Sequence, residues 1–159
     1  MHTAYLLTGG NLGNRQALLQ QATQLIESKA GKLAAVSPIY ETEPWGISDQ
    51  GNFLNQVLVI RTRYSAAELM SLLLSIEEEM GRMRLEKFGA RIIDIDILFF
   101  DNETHQSAHI TIPHPEISRR RFALVPMAVL APQLIHPVLQ KNMQQLLTAC
   151  PDPLVVKKI

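Results

Sequence analysis

The run Arg91-Ile92-Ile93-Asp94-Ile95-Asp96-Ile97-Leu98-Phe99-Phe100 constrains the fold more than any other stretch of the chain. Isoleucine, leucine and phenylalanine dominate it, so it reads as a buried strand from Arg91 to Phe100. Side chains alternate faces along a strand. Asp94 and Asp96 therefore share one face with Ile92 and Leu98, and Ile93, Ile95, Ile97 and Phe99 take the other, core-facing side. Neighbouring carboxylates repel each other, and burying them without a counter-charge is strongly unfavourable. Two arrangements resolve this: basic side chains pairing the aspartates on a half-exposed sheet face, or Mg2+, which suits hard oxygen ligands on a rigid frame. Asp-x-Asp alone does not choose between them.

The rest of the chain has room for a core around such a strand. Its 159 residues, 47% hydrophobic and 19% charged, predict one globular domain over residues 1–159. A formal net charge of zero argues against a polyanionic partner, so any phosphate site is local. The single cysteine, Cys150, excludes an internal disulfide and a cysteine metal cluster, and reads as an inert core thiol. No apolar run approaches a membrane span and no basic stretch precedes an apolar one at the N-terminus, so the expectation is a soluble, cytoplasmic protein.

Thr3 to Thr8 predicts a first strand, ended by a mobile turn, Gly9-Gly10-Asn11-Leu12-Gly13-Asn14. A helix follows from about Arg15 to Lys29, with Leu18, Leu19, Ala22, Leu25 and Ile26 on one face. The glycine turn lacks both the P-loop lysine and the Gly-x-Gly-x-x-Gly spacing, which argues against direct phosphate contact. Leu33 to Tyr40 predicts a second strand with an edge or bulge at Pro38, and a long polar loop from Glu41 to Asn52 carries the only tryptophan, Trp45. On the third strand, Phe53 to Thr62, Phe53 and Asn55 share a face and could grip a flat heterocycle, or serve simply as a core ring and a turn cap. Ser65-Ala66-Ala67-Glu68 is a capping box, opening a helix with Leu69, Leu72, Leu73, Ile76 and Met80 inward and Glu77 bordering solvent or a site. Arg82, Arg84, Lys87 and Arg91 then lead into the aspartate strand, either as a solvated charge run or as a polyphosphate grip beside the carboxylates. Downstream come a short strand Ile110-Thr111-Ile112, the Pro113-His114-Pro115 turn, and Arg119-Arg120-Arg121-Phe122 opening a helix to about Leu130 that Pro126 kinks or restarts. A last helix spans about Asn142 to Ala149, and the tail frays.

In this order the pieces resemble the 6-hydroxymethyl-7,8-dihydropterin pyrophosphokinase family of folate biosynthesis. The resemblance rests on the Gly-Gly-Asn-Leu-Gly-Asn turn, Tyr40-x-Thr42-x-Pro44-x-Gly46, Phe53-Leu54-Asn55 and Glu77-x-x-x-Gly81-Arg82-x-Arg84. It continues through Arg91-x-x-Asp94-x-Asp96-Ile97-Leu98, Pro113-His114-Pro115 and Arg120-Arg121-Phe122, and covers nearly the whole chain. It implies a ferredoxin-like α+β fold, an antiparallel sheet with helices packed on it, and transfer of a pyrophosphoryl group from ATP to the pterin hydroxymethyl oxygen with release of AMP. By resemblance, Asp94 and Asp96 hold two Mg2+ ions, and Arg82 and Arg91 join them as catalytic groups. Thr42, Pro44, Trp45, Phe53, Asn55 and Phe122 fall at pterin positions. Glu77, Arg82, Arg84, Phe88, Arg91, Ile97, Ile110, Thr111, His114 and Arg120 fall at ATP positions. The implied partners are these two small molecules, with no nucleic acid and no membrane, and the chain acting as a monomer.

The chain departs from the family's usual pattern at Gly10 (commonly serine), Phe88 (a larger ring), Ala90 and Ile92 (proline and threonine), Leu74 (glutamine in some members) and His109 (arginine in some). None of these removes a carboxylate or the Phe53/Asn55 pair. Two other classes stand beside this reading. A different Mg2+-dependent transferase on a similar sheet would release pyrophosphate or ADP. A ferredoxin-like binding module would not need both aspartates, and an RNA-binding one would favour exposed strand aromatics and net positive charge.

Overall fold

Strand β1 (His2–Gly10) runs up the middle of the sheet, pairing antiparallel with β4 (Phe53–Thr62) on one side and β5 (Asp94–Phe100) on the other. The computed structural model describes residues 1–44, 50–82 and 90–159. Around those three strands lie α1 (Arg15–Lys29), β2 (Lys32–Val36), β3 (Tyr40–Thr42), α2 (Ala66–Glu79), β6 (His105–Gln106), β7 (Thr111–Ile112), α3 (Arg121–Leu130), α4 (Met143–Ala149) and β8 (Val156–Lys158). The lateral order β5-β1-β4-β2, with every pair antiparallel and α1 and α2 as the crossovers, is the ferredoxin-like βαββαβ arrangement. Beyond it, β3 pairs with the other end of β4 and β8 extends the sheet from β3.

Local chemistry accounts for the element boundaries. Asn14 accepts from Ala17 N to start α1, and Ser65 and Glu68 form the reciprocal capping box of α2. Leu19, Ala22 and Ile26 of α1 and Leu69, Leu73 and Ile76 of α2 pack on Leu6, Leu58, Ile60, Ile95 and Ile97. The opposite face is covered too: Leu124 and Met127 of α3 and Met143 and Leu146 of α4 pack on Leu7, Val57, Leu98 and Phe99. Cys150 is buried and free, in keeping with an inert thiol. Among the described residues no helix is long and apolar enough to cross a membrane.

Several expectations are corrected. The aspartate strand begins at Asp94 rather than Arg91, because Arg91 bonds to Asn11 instead of joining the ladder. It also carries a bulge: Tyr5 faces Phe99 and Leu6 faces Ile97, so Leu98 has no opposite number. Phe99 therefore turns to the α3/α4 side with Leu98, and Phe100 returns to the α1/α2 side. The predicted second strand is two, β2 and β3, separated at Ser37-Pro38-Ile39, where the Ser37 hydroxyl accepts Val57 N. β1 extends through Gly9 and Gly10, which belong to the strand and not to the turn. A Cβ on Gly10 would strike the carbonyl oxygen of Ile92, so glycine is required there by close backbone approach. Two departures from the family pattern, Gly10 and Ile92, thus meet in space. α3 passes through Pro126 without a restart and is preceded by a 3-10 turn, Ile117–Arg119. The tail does not fray: β8 pairs with β3, and buried Asp152 accepts Arg121 N and its carbonyl accepts Arg121 Nε.

Candidate active site

The register sets the site. Gly9 pairs with Asn55 on one side and Asp94 on the other, Leu7 pairs with Val57 and Asp96, and Thr42 pairs with Phe53. Alternation then puts Thr42, Phe53, Asn55, Asp94 and Asp96 on one sheet face, the face that α3 covers only in part. There they line a cleft of about 280 Å³ with Arg82, Arg91, His114, Arg120 and Phe122. Leu7, Gly9 and Glu43 also line it. Sequence reasoning did not assign these three to the site; the cross-strand pairing of Leu7 and Gly9 with the aspartates was the missing information.

Gly9 gives Asn55 its place. A Cβ on Gly9 would overlap Asn55 Nδ2, so the amide lies across the glycine, donating to Thr8 O at 3.4 Å. Thr42 is buried, and its hydroxyl has no hydrogen-bond partner among the described residues. A native buried hydroxyl in that condition, on a cleft wall, is suited to a ligand.

Charge is divided unevenly. Asp94 lies 3.0 Å from Arg91 Nη1 and 3.7 Å from Arg82 Nη2, so guanidinium groups already flank it. Asp96 instead has Asp94 and Glu77 as neighbours, and its nearest described cationic-type group is His114 Nε2 at 4.0 Å. Burial, then repulsion from Asp94 and Glu77, pushes its carboxyl up to about 8, against the opposing pull of Arg120 and Arg91. Its side chain keeps 31% of its surface exposed, so water tempers that shift. Burial and Arg120 hold His114 down to about 4. The ring is therefore neutral near pH 7, and because Nδ1 accepts Glu116 N at 3.1 Å, the proton sits on Nε2, which faces Asp96. Arg91 also lies 5.3 Å over the Phe53 ring and Arg120 5.8 Å over Phe122.

The other predicted positions lie elsewhere. Glu77 does not border solvent: it is 2% exposed, accepts Ile95 N at 2.6 Å and lies 3.6 Å from Arg82 Nε. It supports the outer edge of β5 from behind. Ile97 and Ile110 are core residues, so only their backbone could meet a ligand. Thr111 borders a second, more open hollow that it shares with His114. Pro44 is described but is not among the cleft-lining residues, and Trp45, Arg84 and Phe88 fall outside the described residues.

The sequence profile of the 7,8-dihydro-6-hydroxymethylpterin-pyrophosphokinase (HPPK) family matches residues 5–132. The chain belongs to the HPPK family. Its similarity to 2-amino-4-hydroxy-6-hydroxymethyldihydropteridine pyrophosphokinase of Aquifex aeolicus is 35% identity over 145 residues, 91% of this chain and 90% of that protein. The Bacillus subtilis protein of the same name is 39% identical over 132 residues, 82% of this chain and 79% of that one. Folic acid synthesis protein fol1 of Schizosaccharomyces pombe is 39% identical over 150 residues, 94% of this chain but only 20% of that protein. Among solved structures, an HPPK-DHPS in complex with substrates superimposes with a TM-score of 0.76 at 17% identity, covering 93% of this chain and 43% of that one. Wild-type Plasmodium falciparum HPPK-DHPS with pteroate gives the same TM-score at 19% identity, covering 93% and 42%. The chain thus spans less than half of those structures, and they bear on the HPPK fold alone.

Proposed function

We propose that this chain transfers the pyrophosphoryl group of ATP to the hydroxymethyl oxygen of 6-hydroxymethyl-7,8-dihydropterin, releasing AMP, with residues 1–159 forming one pyrophosphokinase domain. The observation that carries this is a single cleft in which Phe53, Phe122, Asn55 and an unpartnered Thr42 hydroxyl stand beside two aspartates and three arginines. A flat, hydrogen-bonding heterocycle suits the first group, and a metal-bound polyphosphate suits the second.

The residues present fit Mg2+. Asp94 and Asp96 project from the same face of a rigid strand, and Asp96 is crowded by carboxylates that a cation would relieve. Asp94 and Asp96 would hold two ions, which supply charge neutralisation and alignment to an in-line phosphoryl displacement. The chain's own groups do the remainder. Phe53 and Phe122 stack the pterin, and Thr42 and Asn55 bond its edge, so that the hydroxymethyl oxygen meets the β-phosphorus. A new oxygen–phosphorus bond forms as the bond from the β-phosphorus to the bridging oxygen breaks, and that oxygen leaves with AMP. Arg82 and Arg91 donate to the charge accumulating on the β-phosphoryl oxygens, and Arg120 and His114 Nε2–H hold the nucleotide. Asp96, which lines the cleft beside Asp94, is the candidate acceptor of the hydroxyl proton. The reading needs ATP and the pterin as partners and no second copy of the chain, and it goes with a cytoplasmic location.

The test is product analysis with ATP, Mg2+ and the pterin, beside controls lacking pterin or containing EDTA. AMP that depends on both is the expected result. ADP would move the attack to the γ-phosphorus, and no nucleotide consumption by folded protein would end the proposal. A second expectation concerns Gly9→Ala. The added methyl displaces the Asn55 amide and presses on the Leu54 carbonyl oxygen at 3.0 Å, so stability falls somewhat while the pterin KM rises roughly tenfold or more. An unchanged pterin KM would remove Asn55 from the recognition of that substrate.

A further inference from the structure

The residue that joins the two halves of the cleft does not line it. Asn11 follows β1, is 7% exposed, and spends its polar groups on two distant segments. Its backbone N donates to Arg91 O at 2.9 Å, and its Oδ1 accepts Arg91 N at 2.8 Å. Its Nδ2 donates to Gln50 Oε1 at 2.7 Å and to Gly51 O at 2.9 Å. Gly51 stands two residues before Phe53, and Arg91 stands three before Asp94, so each end of the side chain holds the approach to one strand of the site. What lies between is functional: the Arg91 guanidinium is 5.3 Å from the centre of the Phe53 ring and 3.0 Å from Asp94 Oδ2. An asparagine is suited to this task because one planar group offers an acceptor to Arg91 and two donors to the other segment.

We infer that Asn11 is a positioning residue for the transfer reaction, its amide nitrogen setting the Phe53 wall and its carbonyl setting the Arg91 arm. The inference rests on the pyrophosphokinase reading and adds to it a residue that touches neither substrate. The two ends can be separated. Asn11→Asp keeps the shape and the acceptor for Arg91 N but removes both donors, and the Gly51 carbonyl cannot reorient to compensate. Asn11→Ala removes all three side-chain bonds and leaves only the backbone link to Arg91 O.

The experiment is steady-state AMP formation by wild type and both variants, varying each substrate in turn, with thermal melts alongside. Asn11→Asp is expected to raise the pterin KM roughly tenfold with the ATP KM and kcat within about threefold of wild type. Asn11→Ala is expected to lower kcat by a further factor of about ten, so that the aspartate restores kcat without restoring the pterin KM. Folded variants with kcat and both KM values within about twofold of an active wild type overturn the inference alone, as does an equal shift in every parameter. If Asn11→Ala fails to fold, an unchanged pterin KM in Asn11→Asp overturns it. A wild type that forms no AMP removes the functional reading and the inference together.

Discussion

Asp96→Ala is expected to abolish turnover, lowering kcat by about a thousandfold or more, and to yield a folded protein that is more stable than wild type at alkaline pH in a chelator. The two effects share one cause. Asp96 stands between burial, Asp94 and Glu77, which together push its carboxyl from an ordinary 3.8 up to about 8 when no cation is bound. Between those values the folded protein binds a proton that the unfolded chain has released. Stability from this group is therefore present at low pH and is lost as pH rises toward 8. Wild type in a chelator should melt at a lower temperature at pH 8.5 than at pH 6. Asp96→Ala should flatten that slope and melt about 3 °C or more above wild type at pH 8.5. Mg2+ should raise the wild-type midpoint and leave the variant unmoved. Wild-type-like kcat in Asp96→Ala would sink the metal assignment, and a wild-type midpoint indifferent to pH would show that the carboxylates are not in conflict.

The site was legible wherever its chemistry is local in sequence. Asp94 and Asp96 share a face because strands alternate, and Phe53 and Asn55 do so for the same reason, so both pairs could be read before any pairing was known. The cap of α2 was likewise written in Ser65 and Glu68. What escaped was set by contacts across the sheet. The bulge at Leu98 depends on the register against Tyr5 and Leu6, so no pattern within β5 revealed that Phe99 would change sides. Gly9 and Gly10 looked like turn residues because two glycines in a row usually are. Their real constraint is the approach of Asn55 and Ile92 from neighbouring segments. The expected frayed tail instead completes a sheet edge, because its partner, β3, is hidden inside a longer predicted strand. Glu77 lies one position off the apolar stripe of α2, which predicts a border with solvent or with a site, and it is the site side that it adjoins, through Arg82. Only the neighbouring strand edge shows why a carboxylate is buried there, accepting Ile95 N.

Arg82→Ala should damage both stability and catalysis, whereas Arg91→Ala should damage mainly catalysis. Arg82 follows the left-handed Gly81 at the end of α2 and is 9% exposed. Its guanidinium donates to Ile93 O at 3.3 Å, lies 3.7 Å from Asp94 Oδ1 and stands 3.6 Å from the 2%-exposed carboxylate of Glu77. The side chain thus ties the end of α2 to the start of β5 and neutralises carboxylates on both sides of it. Removing one partner from a buried ion pair costs about 3 kcal/mol, which in a chain of this size lowers Tm by roughly 6–12 °C. Loss of a donor to the transferring group lowers kcat by about a hundredfold or more. Arg91 is more exposed, and with Arg82 still beside Asp94 its removal strands no deeply buried charge among the described residues. Arg91→Ala should therefore lose a comparable share of kcat while Tm falls by about 3 °C or less. Arg82→Lys separates the roles further: a point charge recovers part of the stability beside Glu77, but not the planar fork needed for phosphoryl oxygens. Calorimetry and AMP release on the same three variants decide the matter. Equal melting of Arg82→Ala and Arg91→Ala would mean that the Glu77 pairing does not carry the stability assigned to it, and full kcat in Arg82→Lys would mean that charge alone, without the fork, suffices for transfer.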